Sequence, residues 1–184
     1  MTSKISNKNK VILSNVARNT IEIFLKNGQR TKFSIEIAEI LELRAVFVTL
    51  WEKESGKLRG CIGDIEARYP LVESVSKNAI SAALEDPRFE PLTINELDNI
   101  NIEISVLSIL RKIQPEEIEI GRHGLILVKG SSRSVFLPEV AVSQGWNRKT
   151  FLDELSLKAG MNKESWKDPG TELLCFESES WFEN

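Results

Sequence analysis

An α+β fold is predicted by three features of this sequence. Apolar residues recur at helical spacing over 11–26 and 70–85, while over 100–107 they alternate with polar ones in period two. Paired short strand-like segments are twice followed by a proline that opens a helix, at Tyr69-Pro70 and at Leu137-Pro138. No low-complexity linker divides the chain, so we expect one domain over 1–184, with a larger lobe and a smaller lobe formed within about 119–166.

Each element follows from its residues. Ile12, Val16, Ile23 and Leu25 give 11–26 an apolar helical stripe, and Gly28 supplies the stop. Segment 35–43 reads either as a short helix or as a turn. Ala45 to Trp51 is β-branched and aromatic, a strand. Lys53-Glu54-Ser55-Gly56 turns the chain, and 57–65 returns as the second strand of a hairpin. Leu71, Val72, Val75, Ala79, Ala82 and Ala83 form the stripe of a helix over 70–85, broken by Asp86-Pro87-Arg88-Phe89. In that break Asp86 is expected to accept from nearby backbone, and Arg88 to pair with Asp86 or with Glu85. Thr93-Ile94-Asn95-Glu96 fits a capping box for one short helical turn. Ile102, Ile104 and Val106 alternate with polar residues in a strand with one wet face. Beyond the turn Gly121-Arg122-His123-Gly124 come strands at 125–128 and 134–137. A short helix then opens at Pro138, and a longer one, capped by Asn147, ends near Gly160. The last expected strand is 172–177.

Composition narrows the function classes. The 184 residues are 41% hydrophobic and 28% charged, as for a globular protein with a sizeable core. A net charge of -3 gives no global field that attracts nucleic acid. Arg59, Arg68, Lys77, Arg88, Arg111, Arg122, Arg133 and Arg148, with Trp51, Trp146 and Phe89, keep a local nucleic-acid-binding face open. Two distant cysteines do not make a disulfide framework, and a reducing, cytoplasmic setting is expected. The basic N-terminus is followed by no long apolar run, so no signal peptide is expected, and no segment reaches the roughly 18 apolar residues of a membrane span. One histidine and two separated cysteines show no metal-ligand spacing, so neither metal nor cofactor is expected.

Leu58-Arg59-Gly60-Cys61-Ile62-Gly63 concentrates the chemistry. Gly60 and Gly63 leave little side-chain cover, so a ligand or another backbone can approach. On a strand Arg59 and Cys61 share a face, and a guanidinium there lowers a thiol pKa from about 8.5. Against this stands the structural reading: a buried cysteine, one of the most often buried residue types, with Arg59 turned to solvent or paired to a carboxylate. His123, the only histidine, sits in a turn and is the only imidazole that can pair with Cys61. Glu73 and Arg88 complete the candidate substrate contacts.

The hexapeptide, followed in order by Pro70-Leu71-Val72, Glu85-Asp86-Pro87-Arg88-Phe89, Pro91-Leu92-Thr93, Ile104-Ser105-Val106-Leu107, His123-Gly124-Leu125-Ile126, Phe136-Leu137-Pro138 and Leu157-Lys158-Ala159-Gly160, closely resembles the AMMECR family over nearly the whole chain. The resemblance implies two related three-strand, two-helix units around a curved, barrel-like, mainly antiparallel sheet with helices outside. It implies no settled activity. It does imply an association with a Memo-type metalloprotein and a radical SAM enzyme, and so a modification pathway. Two positions depart from the family pattern: Ser156 stands where a cysteine is common, and Glu139 where a glutamine is frequent.

The leading expectation is an accessory enzyme or substrate-handling protein. Cys61 and His123 would be its catalytic residues, and Arg59, Gly60, Gly63, Glu73 and Arg88 would line its pocket. The alternatives are a non-catalytic protein-interaction adaptor and a nucleic-acid-binding module.

Overall fold

A computed structural model describes residues 4–31, 33 and 36–183. Ile35, at the head of the segment expected as helix or turn, lies outside the described residues, as do Met1, Thr2 and Ser3 of the N-terminus. In chain order the elements are α1 (Asn7–Asn27), α2 (Ala38–Leu41), β1 (Val46–Glu52), β2 (Leu58–Gly63), α3 (Leu71–Leu84), β3 (Ile100–Leu107), β4 (Arg111–Lys112), β5 (Gly124–Lys129), β6 (Ser132–Phe136), α4 (Pro138–Ser143), α5 (Arg148–Lys158), β7 (Glu172–Phe176) and β8 (Ser178–Phe182). Short 3-10 turns lie at Ile94–Asn99, Pro115–Glu117 and Ser165–Lys167.

The α+β class is as predicted. The strands are divided between two four-stranded sheets, ordered β2-β1-β3-β8 and β4-β7-β5-β6, and among the described residues no barrel closes. The pairings β1 with β2 and β3, and β7 with β4 and β5, are antiparallel, as is β5 with β6. The chain forms two compact units, Met1–Leu107 with Glu179–Asn184, and Ser108–Ser178. Each sheet holds one strand more than the resemblance implies, β8 in the first and β4 in the second.

In the first unit α1 starts at Asn7, ahead of the expected Val11. Ser6 caps it, its side chain accepting from Asn9 N at 3.4 Å, and Gly28 ends it at φ 68°. The first turn, Asn7 to Lys10, carries no apolar residue, so hydrophobic periodicity does not register it. Val46, Val48 and Leu50 point inward from β1, and Ile100, Ile102, Ile104 and Val106 from β3. They form one core with Leu13, Val16, Ala17 and Ile21 of α1 and Leu71, Val75, Ala79 and Ala82 of α3. The expected capping box is present, with Thr93 and Glu96 bonding each other's backbone. The second unit has its own core of Ile113, Ile118, Leu125, Leu127, Phe151, Leu152, Leu155 and Cys175, against which Phe136 and Trp146 pack. Where the chain enters and leaves this unit, Ser108 N donates to Glu177 O at 2.8 Å and Glu177 N to Ser108 Oγ at 3.0 Å. Among the described residues, no helix is long and apolar enough to cross a membrane.

Candidate functional site

Cys61 lies on β2, at the edge of the first sheet. Across the sheet it stands opposite Thr49 of β1, which in turn stands opposite Glu103 of β3. These three alternate with core residues, so they occupy the face turned away from the core. Thr49 Oγ1 donates to Cys61 Sγ at 3.2 Å, and Trp51 Nε1 donates to Glu103 Oε2 at 2.9 Å. The thiol is half-buried.

The backbone of Cys61 faces outward from the edge strand, and the Asp86-Pro87-Arg88 corner meets it. Cys61 N donates to Asp86 Oδ2 at 2.8 Å, and Arg88 Nη2 donates to Cys61 O at 3.4 Å. Asp86 also accepts from Arg88 N at 3.1 Å, Arg88 Nε at 2.9 Å and Arg88 Nη2 at 2.7 Å. This carboxylate is only 4% exposed, while the Arg88 side chain is 56% exposed. The bonds to Arg88, with the Cys61 amide, outweigh burial and hold the Asp86 carboxyl well below the usual carboxylate range. Of the two partners expected for Arg88, Asp86 is the one observed, and its carboxylate also reaches Cys61 on the neighbouring strand. Both outward backbone groups of Cys61 are occupied, which blunts an otherwise open sheet edge.

The expected activation of the thiol by Arg59 is corrected. Burial pushes the Cys61 thiol above its ordinary value, against the Thr49 bond and the Arg88 charge, which pull it down; Asp86 and Glu103 add to the upward push. The Arg59 guanidinium is engaged elsewhere, with Glu96 Oε1 at 3.0 Å from Nη2 and 3.1 Å from Nε, and with Glu90 O at 2.9 Å. The cause lies in the strand. Leu50 pairs with Gly60 but Trp51 pairs with Leu58, so Arg59 is the extra residue of a bulge and the period-two rule fails there. The guanidinium beside Cys61 is that of Arg88.

The glycines face protein atoms. A Cβ on Gly60 would stand 2.1 Å from the Ala82 carbonyl oxygen of α3, and one on Gly63 would stand 2.3 Å from the Phe47 ring. Of the two approaches expected at these positions, another part of the same chain makes the one observed. Glu73 is exposed in the first turn of α3, where a carboxylate complements the helix dipole.

His123 belongs to the second unit, and Cys61 to the first. The histidine is 2% exposed. Its Nδ1 accepts from Glu119 N at 3.1 Å, and its Nε2 lies 3.3 Å from Arg111 Nη2. Burial, then the charges of Arg111 and Arg122, push its pKa below the ordinary imidazole value. Ser156 is fully buried, its hydroxyl donating to Leu152 O at 3.1 Å, so the serine fits α5 without a thiol. Glu139 lies in the first turn of α4. Of the groups expected to form a nucleic-acid face, Trp146 is packed with Phe136 and Phe151, Lys77 is paired with Asp64, and Arg122 with Glu119 and Glu177. Among the described residues no cluster of histidine, cysteine and carboxylates can hold a metal ion.

Sequence reasoning missed Thr49, Glu103 and the reach of Asp86 to Cys61. The bulge at Arg59 hides the first two, because counting back from the hairpin turn sets Thr49 opposite Gly60 instead of Cys61.

Fold and site together define a two-sheet α+β protein with a cysteine on a glycine-flanked edge strand, clamped by an Asp-Pro-Arg corner. The chain belongs to the AMMECR1 family, whose model matches residues 14–181. It is similar to protein MK0488 of Methanopyrus kandleri, at 38% identity over 191 residues, covering 100% of this chain and 92% of that protein. It is also similar to protein NEQ441 of Nanoarchaeum equitans, at 38% identity over 179 residues, covering 94% and 99%. The crystal structure of the uncharacterized protein PH0010 from Pyrococcus horikoshii matches with a TM-score of 0.90 and 38% identity, over 99% of this chain and 95% of that one.

Proposed function

We propose that this chain is a substrate-handling protein of a modification pathway, and that the outer face of the first sheet around Cys61 is its working surface. The observation that carries the reading is the clamp. The buried Asp86 carboxylate and Arg88 hold both backbone groups of Cys61, so the thiol is presented in one position beside Thr49. A thiol whose pKa is raised is neutral at pH 7, so Cys61 contacts its substrate as a weak hydrogen-bonding group and soft surface, not as a standing thiolate. Arg88, half-exposed at the rim, supplies positive charge for an anionic part of the substrate. The family resemblance points to a Memo-type metalloprotein and a radical SAM enzyme as the partners, with cytoplasmic work.

A second reading, a non-catalytic adaptor, is favoured by Gly60 and Gly63, whose open faces are filled from within the fold. Iodoacetamide labelling of Cys61 against pH bears on both. The structure predicts slow labelling at neutral pH with a midpoint above the ordinary thiol value of about 8.5. Fast labelling near neutral pH would overturn the neutral-thiol account and restore a nucleophilic enzyme. Loss of a co-purified small molecule on Cys61→Ala, with the fold intact, favours substrate handling. A ligand-free native chain favours the adaptor.

A further inference from the structure

The second unit holds a donor cluster that the Cys61 reading does not use. Two N–H groups point at the ring of His123: Glu119 N at Nδ1, 3.1 Å away, and Arg111 Nη2 at Nε2, 3.3 Å away. A neutral imidazole offers one acceptor nitrogen, and the other carries the proton. The main-chain donor has little freedom, because His123 N also donates to Glu119 O at 3.0 Å and closes the turn in both directions. That bond sets Nδ1 as the acceptor and puts the proton on Nε2. Nε2–H and the Arg111 guanidinium then face each other as two donors with no acceptor between them. The nearby acids are committed elsewhere, since Glu119 and Glu177 each pair with Arg122 at 3.0 Å. Arg111 is exposed on β4, and among the described residues it has no ion pair.

We propose that Arg111 and His123 form an oxyanion-binding site, in which a carboxylate or phosphate oxygen sits between Arg111 Nη2 and His123 Nε2–H. One oxygen accepting from both, at about 2.8 Å from each, resolves the donor conflict and gives Arg111 the counter-charge it lacks. Arg111 can move aside by a change of rotamer because its side chain lies in solvent. The histidine supplies a fixed, buried donor, and the arginine supplies charge and reach. The turn at 119–123 holds the ring in place. The site stands apart from the substrate-handling proposal and does not need it.

The chain has one histidine, so a single Cε1–H signal reports the site in a proton–carbon NMR spectrum. The full chain is titrated at neutral pH with inorganic phosphate, and separately with acetate, with sodium chloride holding the ionic strength constant. The expected result is a saturable shift of that signal and a rise in the midpoint of its pH titration while the anion is bound. Arg111→Gln is expected to weaken the apparent affinity by about tenfold, the loss of one charge-assisted bond. Tighter saturation by phosphate identifies a phosphate-bearing ligand, and tighter saturation by acetate a carboxylate. No saturable shift with either anion, or equal shifts in Arg111→Gln, would overturn the site. If Arg111→Gln loses the folded spectrum, Arg111→Met replaces it, keeping the aliphatic stem without the charge: weakened binding supports the site, and unchanged binding refutes it.

Discussion

Replacing Asp86 by asparagine tests the clamp on Cys61 directly. The wild-type carboxylate takes four donors, the Cys61 and Arg88 amides and two guanidinium nitrogens, at 2.7 to 3.1 Å. Asparagine keeps the shape but has one acceptor oxygen and turns an NH2 toward the remaining donors. Arg88 is half-exposed, so its guanidinium can turn to water, and its share of the cost is small. The Cys61 and Arg88 amides cannot both be served. One orphaned backbone donor costs about 1–3 kcal/mol, and the lost charge assistance adds to it, so we expect a destabilisation of about 2–3 kcal/mol at pH 7. The pH dependence has a definite sign. The folded-state pKa of Asp86 lies below its unfolded value of about 3.9, so its contribution is fully present above that value and is lost as pH falls through it toward the folded pKa. Urea unfolding of both proteins should therefore give curves that differ at neutral pH and converge in acid. Amide hydrogen exchange should show loss of protection at Cys61 in the variant. A difference under about 1 kcal/mol at pH 7, or one that persists undiminished in strong acid, refutes the assignment of these bonds to an ionised Asp86.

Other predictions follow from the same geometry. Gly60→Ala places a Cβ against the Ala82 carbonyl, a backbone atom that cannot rotate away, and should cost about 1–3 kcal/mol in chemical unfolding; a neutral result denies the close approach of β2 to α3. Thr49→Val removes the hydroxyl that lowers the Cys61 pKa, so the midpoint of iodoacetamide labelling should move to higher pH, and a downward move contradicts the bond. His123 titrates below its unfolded value of about 6.5, so its contribution to stability is complete above that pH and declines as pH falls toward the folded pKa, by at most about 1.4 kcal/mol per pH unit. Urea unfolding at several pH values should show this decline in the wild type and not in His123→Gln.

The sequence was legible where burial imposes a period. β1, β3 and α3 each bury one face, and their expected spans fall within a residue or two of those observed. β4 and β8 went unseen for the same reason reversed. Arg111-Lys112 is too short to have a period, and Ser178 to Phe182 is an edge strand whose pattern is mostly serine and glutamate. The first turn of α1 is likewise polar, and is held by a cap and by Asn9 bonding Glu39. At the site, the Asp86–Arg88 pair was legible because it is local, two residues apart. The bond from Asp86 to Cys61 spans 25 residues and rests on how α3 lies along β2, which no local pattern records. The hexapeptide that carries the resemblance lies on an edge strand pressed against a helix at Gly60 and held from outside by Asp86 and Arg88. Arg59 was misassigned because a one-residue bulge rotates a strand without leaving a trace in composition.

The division of the first unit into Met1–Leu107 and Glu179–Asn184 bears on how the chain is made. The second unit is synthesised in full before β8 leaves the ribosome, so it can fold while the first still lacks its last strand. Until then the outer edge of β3 has no partner, and Ile102, which exchanges backbone and side-chain bonds with Glu183, waits for it. The bonds between Ser108 and Glu177 draw the two ends of the intervening segment together, which shortens the loop that must close when β8 docks. Folding of the inserted unit thus acts as a built-in splint for the host, and slow folding there leaves the host open to pairing with a neighbouring nascent chain.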